Sequence, residues 1–179
     1  MSIKETLLRP RNLSLVIAAV VLVVIVAVAI LLPTSSRTMV QIQFDAPIES
    51  VWEVYTDYGS QANWRADVEK VEMGIAQGYW TETTKSGGLE IDFEVLEENA
   101  PGWLVLKMRA EGSFEGRYIA EFKPRGTGTV GTFTEEATYL NPIANILRLL
   151  FVDQEEFIRT YAQEAQAEIR RRAIEPEAS

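Results

Sequence analysis

One carboxylate and one tyrosine sit where a proton could be moved. In the run from Gly131 to Tyr139, alternation puts Gly131, Phe133, Glu135, Ala137 and Tyr139 on one face. Glu135 is the charged residue among apolar neighbours. Burial penalises an ionised carboxylate, so Glu135 would have a raised pKa there and could serve as acid or base. A bulge or a one-residue slip would turn it outward, toward an open rim. Tyr118, in the preceding apolar run, is the second candidate for proton transfer. Arg65 could clamp a ligand carboxylate or phosphate through its guanidinium fork. An ordinary surface salt bridge to Asp67 or Glu69 is the competing reading.

Around these groups the sequence supplies aromatic surface. Trp52, Tyr55, Trp64, Phe93, Phe114, Tyr118 and Phe133, with Arg65 and Glu135, form the candidate ligand-binding set. Trp80 and Trp103 are further aromatic candidates. Any one of these rings taken alone is equally at home in an ordinary core.

Composition removes several classes of chemistry. The chain of 179 residues has no cysteine and no histidine. Disulfides, thiol nucleophiles, Ser-His-Asp systems and histidine-based zinc or copper sites therefore drop out. No spaced-acid calcium loop is present, and Gly126-Thr-Gly-Thr lacks the Lys-Ser/Thr ending of a phosphate loop. No metal and no cofactor is called for. Residues 38–179 carry 25 acidic and 13 basic side chains, a net charge of −12, which argues against nucleic acid as a partner.

The element that organises the chain is Leu13–Leu32, LSLVIAAVVLVVIVAVAILL. It has one hydroxyl, Ser14, and no charge. Twenty helical residues span ~30 Å, the thickness of a hydrocarbon core. A cleaved signal peptide has a shorter apolar core, and here Ile30-Leu31-Leu32 continues through the small-residue site at Ala27-Val28-Ala29. An uncleaved transmembrane anchor is expected. Lys4, Arg9 and Arg11 precede it and Arg37 follows it, so the N-terminus is expected in the cytoplasm and the rest outside. The localisation implied is the inner or plasma membrane, single-pass, with a periplasmic or extracellular domain. The divisions are a tail at 1–12, the span at 13–32, a linker at 33–37, a domain at 38–173 and a frayed tail at 174–179. Five linker residues reach only ~17 Å, which holds the domain against the bilayer.

The rest reads as one strand, a helix pair, six strands and a long helical region. Val40, Ile42 and Phe44 alternate as a strand. Ile48, Val51, Trp52 and Tyr55 form a helical stripe, with Asp45 or Ala46 at the cap and Pro47 in the first turn. A short helical turn is expected over Ser60–Trp64. Strands are expected over Val68–Ile75, Gly78–Thr84, Leu89–Leu96, Trp103–Ala110, Phe114–Phe122 and Thr129–Leu140. Asn141-Pro142 opens helical periodicity that runs to Ala173, with a break at Asp153-Gln-Glu-Glu156. Ile146–Val152 is either the buried start of that helix or an exposed apolar gate touching bilayer or ligand. Arg170-Arg171-Arg172 complements the helix dipole.

In this order, FDAPIESVWEVYTDYGSQANW (Phe44–Trp64), GTGTVGTFTEE (Gly126–Glu136) and the closing segment Asn141–Phe157 resemble the START-like superfamily. That group is also called the polyketide cyclase/dehydrase and lipid-transport group, and it includes the birch-pollen allergen fold. The narrower resemblance is to bacterial members with one N-terminal membrane span. It implies an α+β helix-grip fold: a curved antiparallel sheet around the C-terminal helix, with a hydrophobic cavity between them. The implied partner is a lipid or other apolar small molecule. Three functions stay open: a membrane-anchored binding module, a cyclase- or dehydratase-like enzyme using Glu135 or Tyr118, and a non-catalytic interaction domain with a filled core.

Overall fold

The structure, a computed structural model, describes residues 10–31, 33–151 and 153–174. The chain divides into two compact units, Met1–Pro33 and Thr34–Ser179. Lys4, Arg9, Leu32, Val152 and most of the two expected tails lie outside the described residues.

In the first unit, α1 (Pro10–Leu31) is a single helix. Its described side chains run from Leu13 to Ala27 and resume at Leu31, and all are exposed. Among the described residues, no helix is long and apolar enough to cross a membrane.

The second unit is built on a seven-stranded sheet. Its strands are β1 (Ser35–Phe44), β2 (Val68–Met73), β3 (Tyr79–Thr84), β4 (Glu90–Asn99), β5 (Trp103–Ala110), β6 (Phe114–Arg125) and β7 (Gly128–Tyr139). The order is β1-β7-β6-β5-β4-β3-β2, antiparallel throughout. Strands β2 to β7 are a meander, while β1 returns to pair with β7. Alternation explains the sheet: Val40 and Phe44 point in while Met39 and Gln41 point out, and Leu104, Leu106 and Met108 point in while Lys107 and Arg109 point out. β1 starts five residues before the expected Val40, so Ser35, Ser36 and Arg37 belong to a strand and not to a linker. Bulges interrupt β2 between Val68 and Lys70 and β4 between Val95 and Glu97.

Between β1 and β2 the chain forms α2 (Ile48–Thr56) and a 3₁₀ turn (Tyr58–Asn63). Pro47 caps α2, with no side-chain hydrogen bond, in place of the expected Asp45 or Ala46. After β7 come α3 (Pro142–Phe151) and α4 (Gln154–Ile174). The break falls at the expected place: Asp153 Oδ1 accepts the Glu156 N–H at 3.0 Å. Ile158, Ala162, Ala165 and Ile169 form the buried stripe of α4. Two of those four are alanine, which lets the helix lie close to its neighbours.

The core lies between the sheet and α4. Phe44, Tyr55, Phe122 and Phe133 pack there edge to face or stacked. Gly131 makes room, because a Cβ at that position would sit 2.6 Å from the Phe133 ring and 3.0 Å from Phe44. The basic run at the end of α4 does more than complement a dipole. Arg172 donates to Asp57 at 2.7 Å and to Glu168 at 2.8 Å, Arg171 holds Glu168, and Arg170 reaches Asp45.

Candidate ligand site under the last helix

Strand register sets the inner surface. Tyr118 on β6, Glu135 on β7 and Thr38 on β1 are direct cross-strand partners. They form a row on the inward face beneath the start of α4. No bulge interrupts β7, so Glu135 does point inward. Gln154, the first residue of α4, closes over the row. Its amide donates to Glu135 Oε1 at 3.0 Å and to Ser36 Oγ at 3.1 Å, and its carbonyl accepts from Thr38 Oγ1 at 3.1 Å. Burial raises the Glu135 pKa, and the Gln154 hydrogen bond pulls it partly back.

Deeper in, Tyr55, Tyr118 and Tyr161 crowd around Phe133. Tyr55 stacks on Phe133 at 5.3 Å, and Tyr161 lies 5.1 Å from Tyr55. Tyr118 stacks on Phe133 at 6.1 Å. The Tyr55 and Tyr118 hydroxyls are buried without a hydrogen-bond partner. Desolvation raises both pKa values well above the ordinary phenol value, so both groups remain neutral O–H donors. A buried donor without an acceptor costs about 1–3 kcal/mol.

Arg65 is not at a surface, and its principal partner is neither Asp67 nor Glu69 alone. The residue is 7% exposed. Nη1 donates to Glu82 Oε2 and to Gln61 Oε1, each at 2.8 Å, while Nε and Nη2 grip Asp67 at 3.2 and 2.8 Å. Four of its five donors are thus engaged within the protein, Asp67 among the acceptors as one sequence reading has it, and the open ligand clamp is not formed. Glu82 also accepts the Trp80 indole N–H at 3.1 Å. Burial works to lower the guanidinium pKa, and Glu82, Tyr161 and Asp67 more than offset it, leaving it raised. The guanidinium lies 4.8 Å from the Tyr161 ring centre, forming one wall of the aromatic interior.

The remaining expected residues scatter. Trp64 stacks on Tyr161 at 5.7 Å and so joins the interior. Trp52 packs against Phe122 at 6.1 Å. Phe93 stacks on Trp80, which in turn stacks on Tyr58, toward the β2 side of the sheet. Phe114 contacts Tyr139 near α3. Tyr55, Trp64, Arg65, Tyr118, Phe133 and Glu135 therefore line one region, and Trp52, Phe93 and Phe114 do not meet there.

Ring-to-ring contacts occupy much of the space expected to be an open cavity. Two depressions open instead on the outer face of the sheet. One, of about 740 Å³, is flanked by Arg37, Lys107, Arg117 and Glu136; the other, of about 300 Å³, by Tyr79, Asp92 and Arg109.

Glu82, Gln61, Gln154 and Tyr161 were not among the sequence candidates. Glu82 shares a strand face with Trp80, which was the available signal. Gln154 carried none beyond its place at the helix break. Among the described residues no group of His, Cys, Asp or Glu could hold a metal ion.

Comparison with known proteins agrees with this architecture. Residues 36–173 match the family described as polyketide cyclase / dehydrase and lipid transport. No curated protein matches the sequence. A conserved protein from Geobacillus kaustophilus is similar in structure, with 18% identity and a TM-score of 0.65 over 76% of this chain and 97% of its own. The Zhui aromatase/cyclase from a Streptomyces species shows 17% identity and a TM-score of 0.62, over 78% and 96%. A point mutant of norcoclaurine synthase from Thalictrum flavum, in complex with a transition-state analogue, shows 13% identity and a TM-score of 0.61, again over 78% and 96%. At these identities the likeness is one of fold, the helix-grip arrangement of an antiparallel sheet and a long C-terminal helix. The chain belongs to the polyketide cyclase/dehydrase and lipid-transport family.

Proposed function

We propose that the protein is a membrane-anchored binding module for a lipid or other apolar small molecule carrying at least one oxygen acceptor. The observation that carries this reading is the pair of buried, unpartnered hydroxyls of Tyr55 and Tyr118 inside an aromatic interior. The rings offer apolar contact, and the two O–H groups and Glu135 fix a polar atom, the usual division of labour in a small-molecule site. A guest takes the place of ring-to-ring contacts, so its binding is coupled to movement of Tyr55 and Tyr161.

The anchor rests on α1. Apolar side chains are exposed on every side of it, including Val16, Val20, Leu22, Val23 and Val26. Such an all-round apolar surface suits lipid and not water. The basic residues before the span favour a cytoplasmic N-terminus and a domain on the far side.

The test is to purify the full chain in mild detergent and identify co-purifying molecules by native mass spectrometry and solvent extraction. A near-stoichiometric apolar molecule, diminished in the Tyr118→Phe variant, is the expected result. A clean mass with no uptake of fluorescent fatty acid would refute the binding reading and favour a filled-core interaction domain. Release of the protein from membranes by alkaline carbonate would refute the anchor.

A second reading, an acid–base catalyst of the cyclase or dehydratase type, is favoured by one observation: Glu135 holds a raised pKa beside Tyr118 on the same inner face. In that case Glu135→Gln retains the bound molecule and loses its conversion. Equal conversion by the variant and the parent chain would rule it out.

A further inference from the structure

Helix α3 buries a polar side chain and exposes large apolar ones. Its sequence is PIANILRLLF. The polar side chains turn inward: Asn145 is fully buried, and Arg148 is half-buried, donating to Asn145 Oδ1 at 3.2 Å and lying 4.9 Å from the Tyr139 ring centre. Three of its described large apolar side chains are exposed. Ile143 is 70% exposed, Leu147 50% and Leu149 46%, and Leu140, just before the helix, is 48% exposed. A surface helix in water has the opposite arrangement.

Two further facts say what covers that face. The helix carries no acidic residue, although the domain around it is strongly acidic. The start of α3 also lies beside the point where the domain's chain begins. Thr34 accepts the Tyr139 N–H at 2.8 Å, and Ser35 pairs with Thr138. Asn141 then caps α3 by accepting the Ala144 N–H at 2.8 Å. Only Leu32 and Pro33 separate Thr34 from the last residue of α1. Three peptide units of chain reach at most ~11 Å, which bounds how far a bilayer holding Leu31 can lie from Thr34.

We infer that the outward face of α3, formed by Ile143 and Leu147 with Leu140 just before the helix, docks into the interface of a phospholipid bilayer as an in-plane helix. The inference rests on the anchored reading proposed above. Its contact is apolar, so zwitterionic lipid suffices and salt has little effect. Arg148 stays within the protein, stacked on Tyr139, and does not seek a headgroup. Docking places the Gln154–Glu135 row, just beyond the end of α3, next to the lipid source. A lipid thus has a short path from the bilayer to the inner face of the sheet.

The native chain has no cysteine, so single-cysteine labelling is clean. Leu147→Cys and Ile143→Cys, each at an exposed position, are labelled with an environment-sensitive fluorophore in the full chain. The protein is reconstituted into phosphatidylcholine vesicles containing lipid-borne quenchers. Val21→Cys reports α1, and Glu115→Cys on the outer face of β6 serves as the dry-land control. The expected result is a blue shift and loss of most of the emission at positions 143, 147 and 21, unchanged by added salt, with none at 115. Quenching at 21 without quenching at 143 and 147 overturns the inference and leaves the anchor standing. Quenching at none of them overturns the anchored reading and this inference with it. Concentration-dependent self-quenching at 147 without lipid quenching assigns the face to a second copy of the chain, and also overturns it.

Discussion

Replacing Glu82 by alanine isolates the cost of a buried charge at the Arg65 junction. The Glu82 side chain is 4% exposed and that of Arg65 8%. The substitution removes the acceptor of a charge-assisted hydrogen bond at 2.8 Å, worth about 1.5–3 kcal/mol, and orphans the Trp80 N–H, at about 1–3 kcal/mol. The sum agrees with the ~3–5 kcal/mol typical of breaking one side of a buried ion pair. Asp67 grips the same guanidinium with two bonds, but its side chain is 36% exposed. Water can replace it, so Asp67→Ala is expected to cost only about 1 kcal/mol.

The assay is thermal unfolding of the full chain in detergent micelles, followed by near-ultraviolet circular dichroism. The Tyr58–Trp80 stack, with ring centres 3.9 Å apart, gives a signal local to the junction. Glu82→Ala should lower the melting temperature by roughly 6–20 °C, at ~2–4 °C per kcal/mol for a domain of this size. The double variant Arg65→Met with Glu82→Leu should cost less than Glu82→Ala alone, because no buried charge is left without its counter-charge. Equal losses in Glu82→Ala and Asp67→Ala, or a double variant that simply adds its two singles, would refute the claim that burial of the charge dominates.

Three more outcomes follow from the interior. Tyr118→Phe should hold or raise stability in urea unfolding, by up to about 1–3 kcal/mol, since it deletes a hydroxyl with no partner; a clear loss would reveal an acceptor for that hydroxyl. Glu135→Gln should stabilise the fold near neutral pH. The folded-state pKa of Glu135 is raised, so between the unfolded and folded values the native state holds the extra proton and stability falls as pH rises. The advantage of the glutamine variant should therefore shrink as the pH of the melt is lowered below the ordinary carboxylate range, and a pH-independent difference would contradict the assignment. Ala165→Leu forces extra volume between α4 and the sheet at a fully buried position, and should cost about 1–3 kcal/mol in the same melts.

The strands were legible because each has one wet and one dry face, so alternation marks both their position and their orientation. That logic carried Glu135 to the inner face, since neither of β7's partners imposes a bulge on it. For Arg65 the Asp67 bridge was legible, and the Glu82 partner was not, for a reason of distance along the chain. Sequence inspection offers the nearest acids, Asp67 and Glu69, whereas the β2–β3 hairpin pairs Val68 with Thr84 and so delivers Glu82 to the guanidinium. The interior tyrosines were visible as aromatics, but whether rings enclose a space or fill it depends on side-chain packing across four elements, which no periodicity records.

Helix α3 is the more instructive case. A hydrophobic stripe says which residues share a face, and assigning that face to the core assumes that the other side meets water. In α3 the polar face is anchored by Asn145 and by Arg148 on Tyr139, leaving the apolar face outward. Of the two readings of Ile146–Val152, Leu147 and Leu149 follow the exposed one, while Ile146 is half-buried. Water on both sides leaves this polarity unexplained. In the docked arrangement proposed above, a lipid interface would account for it, and for the exposed apolar side chains of α1, with a single change of medium. The same change of medium gives the unpartnered tyrosine hydroxyls a nearby source of acceptors. For an apolar guest delivered from a bilayer, the barrier to entry then lies in parting α3 and Gln154 from the end of β7, and not in crossing water.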